Sequence, residues 1–208
     1  PLSALKLGEI CQEAGLPSGG ISVLPCSGKD AKTLTDDERF KVISFTGSDT
    51  VGWSLKDSAK KKKVILELGG DAPVILGADI NLEQVIERLA FGPFAYAGQV
   101  CISVQRILVH KSRIDEVSDA LTAYVKANIT SGDPAKPGVL VGPMIDRDNV
   151  ERVLAWVEEA GSKGADILLK PEDRGSVLTP SILRNVPKGA KLATEEVFGP
   201  SVHLIPFE

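Results

Sequence analysis

The stretch VILELGGDAPVILGADINLEQVIERLAFGPFAYAGQVCISVQRILVH, residues 64–110, decides the fold class. It opens on a short aliphatic run, VILEL, turns at Gly69 and Gly70, and resumes as a second apolar run, APVILG. Leu82, Val85, Ile86 and Leu89 then recur at i, i+3, i+4, i+7, a spacing that predicts an amphipathic helix over Asn81 to Ala97. A third β-rich run, RILVH, follows. The same alternation continues outward from this stretch. Upstream lie a strand-like KVISF and a helical TVGWSLKDSAKKK, and before them a helix over the first residues that stops at Gly15 and Pro17. Downstream, Ser112 is placed to cap a helix with the stripe Ile114, Val117, Leu121 and Val125. The loop SGDPAKPG leads to a helix marked by Val150, Val153, Leu154 and Val157, ended by Gly161, and then to the strands ADILL and VHLIPFE. Alternating β and α elements predict an α/β architecture with mainly parallel pairing.

The composition is that of a globular chain: 208 residues, 43% hydrophobic and 25% charged, enough for one good core or two small ones. A net charge of −4 with interspersed acids and bases carries no nucleic-acid footprint. The longest basic run, Lys60 to Lys63, reads as a solvated helix end. No apolar stretch approaches the roughly 20 residues that span a bilayer, so no membrane partner is expected. Cys11, Cys26 and Cys101 are an odd, widely spaced set without a CxxC pair, against a disulfide framework or a zinc site. A reducing compartment, the cytoplasm, is the expectation. With only two histidines, His110 and His203, a multi-histidine metal centre is excluded by counting.

Four short segments could carry chemistry. In FTGSDTVGW a strand ends at Thr46-Gly47-Ser48 and a helix begins near Thr50. Backbone N–H groups at a helix start, approached closely at Gly47 and Gly52, suit a phosphate or pyrophosphate, although a plain β–α turn has the same pattern. SGKD at Ser27 to Asp30 is no Walker motif. Glu67 interrupts an aliphatic strand before a double glycine. A carboxylate there must be paired, protonated or exposed at a cleft; desolvation would raise its pKa toward that of a general base, and the plainer reading is an ion pair with a lysine. Cys101 follows Gly98 and Gln99 where a helix gives way to an extended segment. Taken singly it is a small packed hydrophobe.

The order of these segments changes that reading. FTGS, then LELGG, then GQVC, then EEVFGP at Glu195 to Pro200 resembles the aldehyde dehydrogenase superfamily, and the resemblance runs through nearly all 208 residues. It implies a partial Rossmann-like cofactor-binding domain, residues 1–69 being its C-terminal half, and an α/β catalytic domain over residues 70–208, truncated at its C-terminal end. It implies NAD or NADP as cofactor, with Thr46, Gly47, Ser48, Val51, Gly52, Gly69, Glu196 and Phe198 as binding residues. It makes Cys101 the nucleophile that forms a thiohemiacetal and then a thioester with a small-molecule aldehyde, and Glu67 the base that activates the hydrolytic water. No metal is implied. The active site would lie in the cleft between the two parts, and the parent protein would be a homodimer or homotetramer.

The sequence also departs from the family pattern. It resembles less than half of a full-length member, and both ends look cut. The P-W-N segment, whose asparagine supplies a second oxyanion donor, and the K-x-A-E segment, which grips the adenosine ribose, are not among these residues. The expectation is therefore a parent enzyme that oxidises aldehydes and an isolated 208-residue chain that is weakly active or inactive. The alternatives are a noncatalytic structural or binding fragment of a dehydrogenase, and a cysteine hydrolase using Cys101 with His110 or His203.

Overall fold

The computed structural model describes all residues, Pro1 to Glu208, and they divide into two compact units, Pro1–Leu68 and Gly69–Glu208.

The first unit contains α1 (Leu2–Glu13), α2 (Gly28–Asp36), β1 (Val42–Gly47), α3 (Asp49–Ser58) and β2 (Lys63–Leu68). Helix α1 ends as expected, with Gly15 in the left-handed region at φ +88°. Helix α2 lies over the SGKD segment, where no helix is predicted: Ser27 accepts the Asp30 N–H at 3.2 Å and so caps its start. Strands β1 and β2 pair in parallel, with Thr46 opposite Glu67 and Gly47 opposite Leu68. Burial alternates along β2. Val64, Leu66 and Leu68 are half-buried, whereas Lys63, Ile65 and Glu67 are exposed. Helix α3 packs on the same side as Leu68, whose side chain fills the place a Cβ at Gly52 would need. The expected basic helix end resolves differently. Helix α3 stops at Ser58, Lys60 takes φ 54°, and Lys63 already belongs to β2.

The second unit contains β3 (Ala72–Leu76), α4 (Leu82–Phe94), β4 (Val104–His110), α5 (Ile114–Asn128), β5 (Thr130–Ser131), β6 (Val139–Val141) and α6 (Arg147–Ser162). It continues with β7 (Asp166–Leu169), β8 (Asp173–Arg174), β9 (Val177–Leu178), β10 (Ser181–Arg184), α7 (Lys191–Thr194) and β11 (Ser201–Phe207). Its main sheet runs β3-β4-β11-β10-β7, parallel throughout except for β7, which is antiparallel to β10. The predicted stripes are buried: Val117, Leu121 and Val125 of α5, and Val150, Val153 and Val157 of α6, join Ile107, Val109, Ile182 and Leu204 of the sheet in one core.

Two boundaries correct the sequence reading. Helix α4 ends at Phe94, not Ala97; Pro93 sits in its last turn, and Tyr96 and Ala97 both turn left-handed at φ 56° and 57°. Ser112 is not a helix cap. It lies in a short 3₁₀ turn, Lys111–Arg113, with its hydroxyl 2.8 Å from Nδ1 of His110, and α5 starts only at Ile114.

Leu121 is fully buried, so Leu121→Ala is expected to cost about 2–5 kcal/mol in urea unfolding. His203 sits mid-sheet on β11, opposite Arg106 and Leu183, and is 3% exposed. Burial, helped by the Arg106 charge, holds its pKa down at about 4. The unfolded chain takes up this proton first, near the ordinary histidine value of 6.5. The stability His203 contributes is therefore complete above about pH 6.5 and is lost as pH falls toward about 4. In urea unfolding at about pH 7 and about pH 4.5, His203→Gln is expected to flatten that loss by an amount on the order of 1–3 kcal/mol.

Candidate functional site

Three segments singled out in the sequence run directly into three neighbouring parallel strands of the second unit. Gly69-Gly70 precedes β3, the Gln99–Cys101 loop precedes β4, and Glu195–Pro200 precedes β11. The register sets Ala72 beside Val104 and Arg106 beside His203, so all three segments lie at the N-terminal edge of one sheet.

The loop that carries Cys101 is fixed by its neighbours on both sides of the cysteine. Tyr96, Ala97 and Gly98 are three consecutive left-handed residues, a conformation only glycine adopts without strain. A Cβ on Gly98 would run into the Gly199 carbonyl, so the loop lies flush against the Glu195–Pro200 segment. The Gln99 amide holds the other side. Its Oε1 accepts the Ile145 N–H at 2.8 Å, and its Nε2 donates to the Pro143 carbonyl at 3.2 Å. Beyond the cysteine, the Ser103 N–H donates to the Val100 carbonyl at 2.9 Å, and its hydroxyl donates to the Pro93 carbonyl at 3.4 Å. Cys101 itself is exposed, between these fixed points. Its carbonyl lies 4.0 Å from the position a Cβ on Gly70 would take.

Glu196 and Phe198 occupy the third segment. The Gly70 N–H donates to Glu196 Oε1 at 3.0 Å, and the carboxylate fills the space where Gly69 would carry a side chain. Phe198 takes φ 41° and is partly exposed. With Tyr96, Gln99, Leu140, Met144 and Ile145 it lines a mainly apolar cavity of about 570 Å³.

Several polar residues of this region were not anticipated. Gln105 is 3% exposed and links the Gly70 carbonyl to the Val197 N–H. Its signal was parity, since in VQRILVH a glutamine shares the buried face with Ile107 and Val109. Asp71 pairs with Arg106; burial raises its pKa against the opposing hydrogen bond and charge of the guanidinium. Arg152 is half-buried, its guanidinium 4.8 Å over the Trp156 ring, and burial lowers its pKa while Asp146 and Glu196 oppose that shift.

The remaining sequence-selected residues belong to the first unit. Glu67 lies on the exposed face of β2, and its side chain makes no hydrogen bond and no ion pair with a lysine, the plainer of the two sequence readings. Thr46 is its register partner, and Gly47 ends β1. Ser48 stands at the N-cap of α3 without its side chain accepting a first-turn N–H, and Val51 in the following turn is exposed. The Thr50 N–H donates to Asp49 Oδ1 at 2.7 Å, so of the first helical turn the Asp49 and Val51 N–H groups are the ones left to an outside acceptor.

Neither histidine is placed as a base for Cys101. His203 is enclosed in the sheet, and His110 ends β4, edge-on to Phe207 at 5.8 Å. No group of three or more His, Cys, Asp or Glu side chains is arranged to hold a metal ion.

The sequence model of the aldehyde dehydrogenase family matches residues 1–208. A putative aldehyde dehydrogenase of Bacillus subtilis, DhaS, is 36% identical over 214 residues, covering 100% of this chain and 43% of the relative. The crystal structure of aldehyde dehydrogenase 21 from Physcomitrella patens, in complex with the reaction product succinate, superposes with a TM-score of 0.93 at 42% identity. That of a Mycobacterium tuberculosis aldehyde dehydrogenase complexed with NAD+ gives 0.94 at 33% identity. Each covers 100% of this chain, and the chain spans 44% of each. The chain therefore belongs to the aldehyde dehydrogenase family.

Proposed function

We propose that the protein containing this chain oxidises an aldehyde to a carboxylic acid with NAD or NADP, with Cys101 as nucleophile and Glu67 as general base. The observation that carries the reading is the Cys101 loop: an exposed thiol held between the Gln99 anchors and the Gly98–Gly199 contact, in a chain of this family. In this reading residues 1–69 are the C-terminal half of the dinucleotide-binding domain and residues 70–208 the cysteine-bearing catalytic domain.

The residues fit a dinucleotide on two counts. The start of α3, with Thr46, Gly47, Ser48, Val51 and Gly52 around it, offers the Asp49 and Val51 N–H groups to a pyrophosphate, the Thr50 N–H being held by Asp49 Oδ1. Glu196 and Phe198 offer a carboxylate for ribose hydroxyls and an apolar ring for the nicotinamide end, and Gly69 leaves the room that the Glu196 carboxylate occupies. When bound, the dinucleotide supplies the hydride acceptor.

The chain's own residues do the rest. The Cys101 thiolate forms a bond to the aldehyde carbon, and the carbonyl π electrons move to oxygen. The Cys101 N–H, which donates to no backbone acceptor, is available to that oxyanion. Oxidation of this thiohemiacetal leaves an acyl thioester on Cys101. Glu67 takes a proton from water as the water oxygen bonds to the acyl carbon; the carbon–sulfur bond breaks and the thiolate leaves. The 208-residue chain alone is expected to turn over weakly or not at all. The absence of one oxyanion donor alone accounts for a loss of about 100- to 1,000-fold.

The test uses the full-length protein and follows aldehyde-dependent dinucleotide reduction. Cys101→Ala is expected to abolish it. Glu67→Gln is expected to keep a single-turnover burst while steady-state turnover falls about 100-fold or more. Turnover by Cys101→Ala would overturn the proposal in favour of a noncatalytic role for the thiol; an unchanged steady state in Glu67→Gln would remove the base.

A further inference from the structure

Gln105 is the one amide on the buried face of β4, in line with Ile107 and Val109. A buried amide is tolerated only when its donor and acceptor are both used. Here each goes to a different segment. Nε2 donates to the Gly70 carbonyl at 2.8 Å, 35 residues away, and Oε1 accepts the Val197 N–H at 2.6 Å, 92 residues away. The same two segments meet a second time, through the Gly70 N–H and Glu196 Oε1 at 3.0 Å. The result is a closed circuit in which both backbone polar groups of Gly70 are occupied and the residue following Glu196 is pinned. No bond of this circuit reaches the Cys101 loop, which is held by Gln99 and Ser103.

We propose that Gln105 is a positioning residue: it fixes the Glu196 carboxylate relative to the Gly69-Gly70 turn, and so governs dinucleotide affinity while leaving the reactivity of the Cys101 thiol unaltered. The inference rests on the dinucleotide reading above. Side-chain chemistry makes it specific, since a carboxylate in place of the amide keeps the acceptor and loses the donor, and a thioether of similar length loses both.

The experiment compares wild-type full-length protein with Gln105→Met, Gln105→Glu, Glu196→Ala and the double variant Gln105→Met/Glu196→Ala. Gln105→Met, which removes both hydrogen bonds, is expected to weaken NAD or NADP binding about 10-fold. Alkylation of Cys101 by iodoacetamide, without dinucleotide, should keep its wild-type rate. The double variant should bind no more weakly than Glu196→Ala alone, because Gln105 acts through that carboxylate. Losses that multiply in the double variant, or binding and alkylation impaired together, would overturn the proposal. So would unchanged binding in Gln105→Met. Should Gln105→Met fail to fold, Gln105→Glu decides in the same way, since it retains the bond to Val197. Hydrogen exchange gives a readout that needs no ligand: residues 68–71 and 195–198 should exchange faster in Gln105→Met, with α5 unchanged, and no change in those segments would also overturn it. Wild-type protein that binds neither NAD nor NADP would overturn the dinucleotide reading itself, and the exchange data would still decide whether Gln105 ties the two segments together.

Discussion

The parallel register of β3, β4 and β11 is the constraint on which the second unit depends. Parallel strands begin at the same edge of a sheet, so segments that immediately precede adjacent strands are forced together however far apart they lie in sequence. Gly69-Gly70, the Cys101 loop and Glu195–Pro200 each occupy that position. A shift of β11 against β4 by one residue would turn His203, Leu204 and their neighbours to the opposite faces and carry Glu196 away from Gly70. The buried aliphatic residues of β4, β10 and β11 oppose such a shift, so the core that stabilises the sheet also sets the geometry of the loops at its edge.

Within that frame, glycines and amides set the fine spacing. Gly69 leaves room for a carboxylate and Gly98 for a carbonyl; each permits an approach that any side chain would block. Gln99 and Gln105 then fix what the glycines allow, one joining the Cys101 loop to Pro143 and Ile145, the other joining Gly70 to Val197. Both glutamines bond to backbone groups, which makes the links depend on the amide of these two residues and not on the identity of their partners. The strained left-handed pair Tyr96–Ala97 persists because Ala97 is wholly buried and Gly98 is locked against Gly199.

Much of the fold was legible because its signals are local. The stripes of α5 and α6 and the aliphatic runs of β2, β3, β4 and β11 lie where hydrophobic spacing predicts them. What escaped depends on tertiary contacts or on chemistry that resembles a turn. The end of α4 is set by Pro93 and by the contact of Gly98 with a segment about a hundred residues away, which no window around Ala97 reveals. Ser27 and Asp30 look like loop residues and are the cap of α2. Glu67 is legible as an anomaly whose setting the sequence leaves open among paired, protonated and exposed; the alternation of a strand open on one face selects the exposed one. Gln105 was readable from parity alone, but its two partners follow only from the strand register.

In the proposed reaction the Cys101 sulfur, at this edge of the sheet, carries the acyl group. The most direct measurement is an acid quench of the full-length protein during turnover with an aldehyde and NAD or NADP, followed by peptide mass spectrometry. An acyl adduct is expected on the peptide containing Cys101, accumulating further in Glu67→Gln. Sustained turnover with no adduct on Cys101, or with the adduct on Cys11 or Cys26, would contradict it.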